Sequence, residues 1–204
     1  MIAIIDYGVG NLTSVLNMFK RIGADAVITN NPEIINNAYK LLLPGVGYFD
    51  SCINNFYKSG LRDLIEHKVF YEKSPILGIC VGAQMMTRGS EEGKEIGLGW
   101  VNADTVRFRI DQQSKLKIPN MGWNYLIQTK ISPLWHNLDE EARFYFAHSY
   151  HFIFDNDEFV IGKAIYGYEY PVAYQKDNIF ATQFHPEKSH RFGMKVLKNF
   201  ADLP

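Results

Sequence analysis

The sequence has few cysteines, no excess of charge of one sign and no long apolar run. Its 204 residues include two cysteines, Cys52 and Cys80, in no CxxC pattern. They allow one disulfide, but so sparse a set is typical of reduced thiols in a cytoplasm. The 21 basic and 22 acidic side chains give a net charge of −1, so the charge does not favour nucleic-acid binding. The N-terminal MIAIID lacks signal-peptide features, and it is far shorter than the ~20 apolar residues of a membrane helix.

Composition and length indicate an ordinary globular chain. Hydrophobic residues make up 47% and charged residues 21%, which is usual for a globular protein with a sizeable core. No internal repeat, low-complexity tract or linker is visible in the sequence. We therefore expect one domain over residues 1–204.

The first half of the sequence alternates short apolar runs with helix-like stretches. Helices are predicted from Asn11, as a cap, to about Ile22, and between Cys52 and Phe70. Strands that alternate with helices imply crossover connections and a parallel sheet covered on both faces. The predicted strands of this half are MIAIID (1–6), AVIT (26–29), KLLLPGVG (40–47, stopped by Pro44) and PILGI (75–79).

From Leu98 onward the pattern changes to strands separated by turns. A closing helix is predicted from about Phe192 to Phe200. The expected fold class is therefore α/β, with a mostly parallel central sheet flanked by helices and with antiparallel strands added in the second half. The predicted strands of this half are 101–110, 143–152, 159–166, 172–175 and 179–184.

The strongest single motif is Gly78-Ile79-Cys80-Val81-Gly82, which directly follows a predicted strand. A G-x-nucleophile-x-G sequence at a strand-to-helix junction is typical of a nucleophile elbow, here with cysteine as the nucleophile. Glycines are needed there because Cβ atoms two residues to either side of the strained centre would clash. A helix start also favours the thiolate, the species that attacks a carbonyl. A buried core cysteine beside a chance pair of glycines is the alternative.

A histidine and a glutamate follow the last predicted strand, as His185-Pro186-Glu187. Pro186 favours extended geometry in the residue before it, and in an extended chain positions i and i+2 point to the same side. His185 can then be the base for Cys80, with Glu187 holding its other imidazole nitrogen. Alone, this motif is better explained as a loop histidine beside a surface glutamate. Together with Cys80 it predicts a catalytic triad.

Several short blocks of the sequence occur in the order and spacing of a known protein family, and the resemblance runs from Ile2 to Phe200. They are DYGVGN (6–11), PGVG (44–47), GICVGAQ (78–84), SEEG (90–93), PNMGWN (119–124), YFAHSY (145–150), QFHPEKS (183–189) and LKNF (197–200). In PGVG, GICVGAQ and QFHPEKS the chain resembles the class I, triad-type glutamine amidotransferases, and the other five blocks carry a finer resemblance. The finer resemblance is to the glutaminase subunits of imidazole glycerol phosphate synthases, from histidine biosynthesis.

The resemblance implies that Cys80 forms a γ-glutamyl thioester with glutamine, which water then hydrolyses to give glutamate and ammonia. It implies an oxyanion hole from the backbone N–H groups of Val46 and Val81, and such donors are worth roughly 3–4 kcal/mol in the transition state. In related subunits the PGVG loop flips to form the hole, and Gly45 and Gly47 would permit that rotation. We therefore expect low glutaminase activity in isolation and stimulation by a partner.

The resemblance also assigns residues to substrate and partner. Glutamine-binding positions match Gly45, Gln84, Ser149 and Tyr150. The implied partner is a (β/α)₈-barrel synthase subunit that forms a heterodimer with the chain and receives ammonia through a channel. Partner-interface positions match Asn11, Trp123, Tyr145 and Lys188.

At four positions the chain departs from the usual residues of the histidine-pathway subunits, and these departures bear on which pathway it serves. Val81, Ala83, Gly89 and Asn120 stand where the histidine subunits usually have leucine, methionine, serine and histidine. The segment 188–200 and HSYHF (148–152) also resemble paralogous subunits that supply an amino-sugar synthase in surface-polysaccharide biosynthesis. The synthase served by this chain is thus open between the two pathways.

Other kinds of site are not favoured. His148 and His151 form HxxH, but on one strand positions i and i+3 point to opposite faces, so we expect no metal. Gly8-Val9-Gly10 lacks the third glycine of a dinucleotide fingerprint, and we expect no cofactor. A cysteine peptidase or thiol hydrolase and a docking protein without chemistry are the remaining alternatives. Gln84 and the PGVG loop argue against the first, and the intact triad argues against the second.

Overall fold

An eight-stranded sheet forms the centre of the protein, which is represented by a computed structural model that describes residues 1–111 and 113–204. The strands found in these residues are β1 (Ile2–Ile5), β2 (Ala26–Thr29), β3 (Lys40–Gly45), β4 (Ile76–Cys80), β5 (Ala103–Arg107), β6 (Asn120–Tyr125), β7 (Ile127–Gln128), β8 (Arg143–His148), β9 (Tyr150–Phe154), β10 (Val160–Tyr166), β11 (Tyr168–Lys176) and β12 (Ile179–Thr182). The α-helices are α1 (Leu12–Arg21), α2 (Pro32–Asn36), α3 (Phe49–Lys58), α4 (Arg62–Phe70), α5 (Val81–Met85) and α6 (His190–Ala201).

The order of strands in the sheet is β2-β1-β3-β4-β12-β11-β10-β7. The first five strands are parallel, and the last three are added antiparallel. The predicted fold class is therefore confirmed. The parallel strands β1, β4 and β12 are buried along their whole length, as expected where helices cover both faces of a sheet.

Two antiparallel ladders lie outside the main sheet, one of β5 with β9 and one of β6 with β8. The single strand predicted over 143–152 is wrong, because the chain leaves β8 at His148 and resumes as β9 at Tyr150. The two halves pair with different neighbours, so Ser149 marks a change of ladder.

Two predictions about the ends of elements are also corrected. Pro44 does not stop β3, which continues to Gly45. Its pairing with β1 ends at Leu42. Pro44, which has no backbone N–H to donate, therefore lies beyond the part of β3 that is hydrogen-bonded to β1. Asn11 occupies the N-cap position of α1, but its side chain makes no capping hydrogen bond.

The carboxyl ends of three neighbouring parallel strands, β3, β4 and β12, meet at one edge of the sheet. Gly45 is in register with Cys80, and Thr182 is in register with Ile79. This register places the loops after the three strands side by side. Among the described residues, no helix is long and apolar enough to cross a bilayer.

Candidate active site

Cys80 lies at the junction of β4 and α5 with φ 53° and ψ −114°. The predicted steric reason for the flanking glycines holds. A Cβ on Gly82 would lie 2.0 Å from the carbonyl oxygen of Leu43, and one on Gly78 would lie 2.8 Å from Cα of Ala83. Helix α5 has five residues, so its dipole favours a thiolate less than a long helix would.

The side chains of His185 and Glu187 contact each other. The Nδ1 of His185 lies 2.8 Å from Oε1 of Glu187, and the two side chains are 3% and 2% exposed. The contact arises differently from our prediction, because β12 ends at Thr182 and residues Pro186–Lys188 form a turn of 3-10 helix. The carboxylate accepts from Nδ1–H, which leaves Nε2 of the imidazole for the thiol side.

The pKa of His185 is set by its burial and by the groups next to it. Burial alone would lower the pKa of His185, but the negative charge of the Cys80 thiolate, the hydrogen bond to it and the nearby Glu187 raise this pKa to about 10. The imidazolium form of His185 is therefore favoured when the sulfur of Cys80 beside it is a thiolate. Such a pair supplies both a nucleophile and a proton for a leaving group.

The backbone of His185 is fixed to strand β8. Its N–H donates to the carbonyl of Tyr145 at 3.0 Å. The hydroxyl of Ser189 donates to the carbonyl of His185 at 2.6 Å and accepts from the N–H of Tyr145 at 2.9 Å. The histidine is thus held in place from a strand distant in sequence.

A cavity of about 360 Å³ opens onto this pair. Glu92 also lines it. Its carboxylate accepts from the N–H of Phe49 at 2.8 Å, and burial raises its pKa. The cavity is large enough for a small polar molecule and presents a carboxylate to it. Of the residues named from sequence, those that line the cavity are Val46, Gly47, Cys80, Val81, Gln84, His148, Ser149, Tyr150, His185 and Lys188.

The expected glutamine contacts form one wall. The Nε2 of Gln84 donates to the carbonyl of Tyr150 at 3.4 Å. The Nδ1–H of His148 donates to the same carbonyl at 2.7 Å, and burial lowers the pKa of His148 to about 3, so the ring stays neutral. Gly45 lies just behind the wall, where a Cβ would be 2.2 Å from the amide nitrogen of Gly82.

The loop of the expected oxyanion hole is anchored on both sides of the Gly45–Val46 peptide. The hydroxyl of Tyr7 donates to the carbonyl of Pro44 at 2.5 Å. The thiol of Cys52 donates to the carbonyl of Val46 at 3.4 Å. The peptide between these two anchored carbonyls carries the N–H of Val46.

Three of the four residues expected at a partner interface are neighbours on the surface. The Nζ of Lys188 lies 5.8 Å from the ring centroid of Tyr145, and Trp123 stacks on His190 with centroids 5.4 Å apart. These four residues, the Trp123 cluster, line one shallow hollow. Asn11 lies elsewhere, at the start of α1.

The structure corrects the predicted orientation of His148 and His151. Both rings pack against Phe108, with centroids 5.2 and 4.7 Å away, because the chain turns at Ser149. They do not point to opposite faces of one strand. Within residues 1–111 and 113–204, no group of three or more His, Cys, Asp or Glu side chains could hold a metal.

Gln183, like Glu92, is a residue of the site that was not predicted from the sequence. It is fully buried, and its Nε2 lies 3.7 Å from Sγ of Cys80. One signal was available, since a parallel β4–β12 pair places the residue after Thr182 beside the residue after Ile79. The motif QFHPEKS contains Gln183, but the motif alone gives it no role.

Comparisons with known proteins agree with this geometry. Residues 3–203 match the family model described as glutamine amidotransferase class-I. The chain is 52% identical to "Imidazole glycerol phosphate synthase subunit HisH 2" of Methanococcus maripaludis, over 98% of both chains. It is 45% identical to the protein of the same name from Pseudomonas aeruginosa, over 100% of both. The solved structure of PurLQS from Thermotoga maritima shares the fold, with TM-score 0.72, 16% identity and coverage of 98% of this chain and 96% of that one.

Proposed function

This chain belongs to the class-I glutamine amidotransferase family, and we propose that it is the glutaminase subunit of an imidazole glycerol phosphate synthase. It hydrolyses L-glutamine to glutamate and ammonia and acts in histidine biosynthesis. The observation that carries this proposal is the 52% identity over 98% of both chains to a subunit of that name. In the proposal, the chain works as a single amidotransferase domain.

The proposed chemistry assigns one step to each triad residue. The Cys80 thiolate attacks the carboxamide carbon of glutamine, and the carbonyl electrons move onto oxygen. When the tetrahedral intermediate collapses, the C–N bond breaks and the His185 imidazolium gives its proton to the departing ammonia. Neutral His185 then takes a proton from water, which attacks the thioester and releases glutamate. Glu187 keeps the imidazole oriented and stabilises its charged form.

The oxyanion is held in the proposal by the N–H groups of Val46 and Val81. Tyr7 and Cys52 hold the carbonyls on either side of the Gly45–Val46 peptide, so a rotation would be confined to that one peptide. Gly45 supplies the backbone freedom for it. We therefore expect the isolated chain to turn over slowly until a partner favours the rotated peptide.

The partner in this proposal is a (β/α)₈-barrel synthase subunit, which docks on the Trp123 cluster. Trp123 is 43% exposed, and the backbone of Tyr145 bonds that of His185, so the docking surface is in direct contact with the active site. Ammonia would pass through a channel, because in water it is mostly protonated and no longer nucleophilic. The compartment is the cytoplasm, which suits two free cysteines, Cys52 and Cys80.

Two measurements test this proposal. Glutaminase turnover is assayed for the chain with and without the histidine-pathway synthase subunit, and a glutamine-mimicking electrophile is used to label Cys80. We expect turnover to rise with the partner and the label to appear on Cys80 alone. Equal turnover in both states contradicts the coupling, and a failure to label Cys80 with the partner present contradicts the glutaminase.

A second candidate is a glutaminase subunit that supplies an amino-sugar synthase of surface-polysaccharide biosynthesis. The observation in its favour is that both relatives named above carry the number 2 in their printed names, as expected where an organism has more than one such subunit. The two candidates share the triad chemistry and differ in the acceptor of ammonia. Turnover with each purified synthase separates them, because only the true partner stimulates it.

A further inference from the structure

The side chain of Gln183 joins the proposed nucleophile to a wall of the cavity. It lies between Cys80 and Gln84 and is fully buried. Its Oε1 accepts from Nε2 of Gln84 at 3.0 Å, and its Nε2 lies 3.7 Å from Sγ of Cys80. Its backbone N–H donates to the carbonyl of Val172 at 2.8 Å. The side-chain amide is therefore held at its oxygen by Gln84 and at its nitrogen by Cys80.

The hydrogen-bond network decides which end of the amide faces the sulfur. The carbonyl of Tyr150 can only accept, so Gln84 must turn its NH₂ group toward Tyr150. The same NH₂ group then faces Gln183, which must present its oxygen to Gln84. The NH₂ group of Gln183 is left facing Cys80. The orientation of the donor thus follows from a backbone carbonyl and not from an arbitrary choice between two similar amide rotamers.

An amide N–H beside a sulfur favours the thiolate over the thiol, since hydrogen bonds to charged acceptors are stronger than those to neutral ones. We propose that Gln183 is a positioning residue whose side-chain amide donates to Sγ of Cys80, holds the thiolate for attack, and ties it to Gln84. This inference rests on the proposed function, in which Cys80 is the nucleophile. Unlike His185, the amide does not titrate, so its donor is present at every working pH.

A purely structural glutamine would satisfy buried partners without changing the sulfur. The two possibilities are separated by the pH dependence of Cys80 alkylation by iodoacetamide. The experiment uses the full chain and maps the modified cysteine by peptide mass. The variants are Gln183→Met, which keeps the length and removes the donor, and Gln183→Glu, which keeps the shape and adds a negative charge. The control is Gln175→Met, at a half-buried glutamine on β11 that accepts from Ser132.

We expect the pH midpoint of alkylation to rise by about one unit in Gln183→Met, the shift that matches a tenfold change in thiolate population. The rise should be larger in Gln183→Glu, because a carboxylate repels the thiolate, and Gln175→Met should match the wild-type chain. Glutaminase kcat measured with the synthase should fall about tenfold in Gln183→Met, with little change in KM.

Unchanged midpoints in both Gln183 variants, with wild-type Cys80 reactive, would overturn the inference and leave the proposed glutaminase intact. If wild-type Cys80 itself reacted no faster than an ordinary thiol, the proposed function would fall with it. Thermal unfolding of each variant checks that it is folded. Should Gln183→Met fail to fold, the isosteric Gln183→Glu decides, and a midpoint equal to that of the wild-type chain overturns the inference.

Discussion

Glu187 holds His185 through a single hydrogen bond of 2.8 Å, from Nδ1–H of the imidazole to Oε1. The second oxygen, Oε2, is buried and has no hydrogen-bond partner among the described residues. No other group in this part of the chain therefore competes with the imidazole for the carboxylate. The charge of Glu187 acts on His185 at close range, in a site where both side chains are almost fully shielded from water.

Replacing Glu187 by glutamine removes that charge and keeps the shape. The pKa of His185, which Cys80 and Glu187 together raise to about 10, should fall in Glu187→Gln. Because the imidazolium is lost as pH rises through this pKa, the high-pH limb of glutaminase kcat should move to lower pH. Loss of orientation should reduce kcat at pH 7 by about a hundredfold or more.

The measurement is the pH profile of kcat in the presence of the synthase, for Glu187→Gln and for Glu158→Gln as a control. Glu158 is exposed and does not line the active-site cavity. An identical high-pH limb in Glu187→Gln and the wild-type chain would show that Glu187 does not control the protonation of His185.

Cys80 has a positive φ of 53°, which costs a non-glycine residue about 1–3 kcal/mol. We predict that Cys80→Gly is more stable than Cys80→Ala by about 1 kcal/mol, although glycine buries less surface. Both variants lose activity, so the comparison isolates the backbone. The measurement is the free energy of unfolding from urea denaturation.

Cys52 is a matched control, because the expected difference in stability between its glycine and alanine variants has the opposite sign. It lies in α3 and is fully buried, so Cys52→Gly should be less stable than Cys52→Ala by about 1 kcal/mol. If glycine destabilised both positions equally, the elbow at Cys80 would store no strain.

The elbow and the strands around it could be predicted from sequence because their causes are local. Gly78 and Gly82 are required by contacts within a few residues of Cys80 or on the next strand, and the apolar runs of β1 and β4 mark buried strands. The parallel core follows from these runs alternating with helices. The triad follows from two short motifs at the ends of neighbouring strands.

What the sequence analysis missed depends on contacts between distant segments. The break at Ser149 exists because β8 pairs with β6 while β9 pairs with β5, and neither pairing is visible in a local pattern. Strand β6 was not predicted, since its large side chains Met121, Trp123 and Tyr125 face solvent and give no buried stripe. The proposed role of Gln183 depends on its contacts with Cys80 and Gln84, which are far from it in sequence.

Glu92 offers a carboxylate to a substrate that carries an ammonium group. We predict that Glu92→Gln raises the KM for glutamine about tenfold, because hydrogen bonds to charged groups contribute about 1.5–3 kcal/mol, and changes kcat little. Burial raises the pKa of Glu92, so the carboxylate is lost on acidification at a higher pH than usual. The KM of the wild-type chain should therefore rise as pH falls, and that of Glu92→Gln should stay flat.

The neighbouring Glu91 is the matched control, since its carboxylate bonds Arg109 on the surface. The measurement is the KM for glutamine of each variant, from steady-state kinetics with the synthase at several pH values. A KM in Glu92→Gln equal to that of Glu91→Gln would remove Glu92 from glutamine binding.

Trp123 should be an anchor of the proposed partner interface. It is 43% exposed, yet it is held rigid by His190 stacked on it at 5.4 Å and by the guanidinium of Arg143 at 5.9 Å from its ring centroid. A large aromatic that is already ordered loses little entropy on docking, and such residues dominate binding energy in many interfaces. We predict that Trp123→Ala weakens binding of the synthase subunit by about 2 kcal/mol or more.

That loss corresponds to a roughly thirtyfold higher Kd, which isothermal titration with the purified synthase would measure. Tyr71→Ala is the matched control, because Tyr71 is also a large exposed aromatic, at 80% exposure, but follows α4 instead of joining the Trp123 cluster. Stimulation of glutaminase should need a correspondingly higher synthase concentration in Trp123→Ala alone. If both variants bound the synthase as tightly as the wild-type chain, the partner would have to dock on a different surface.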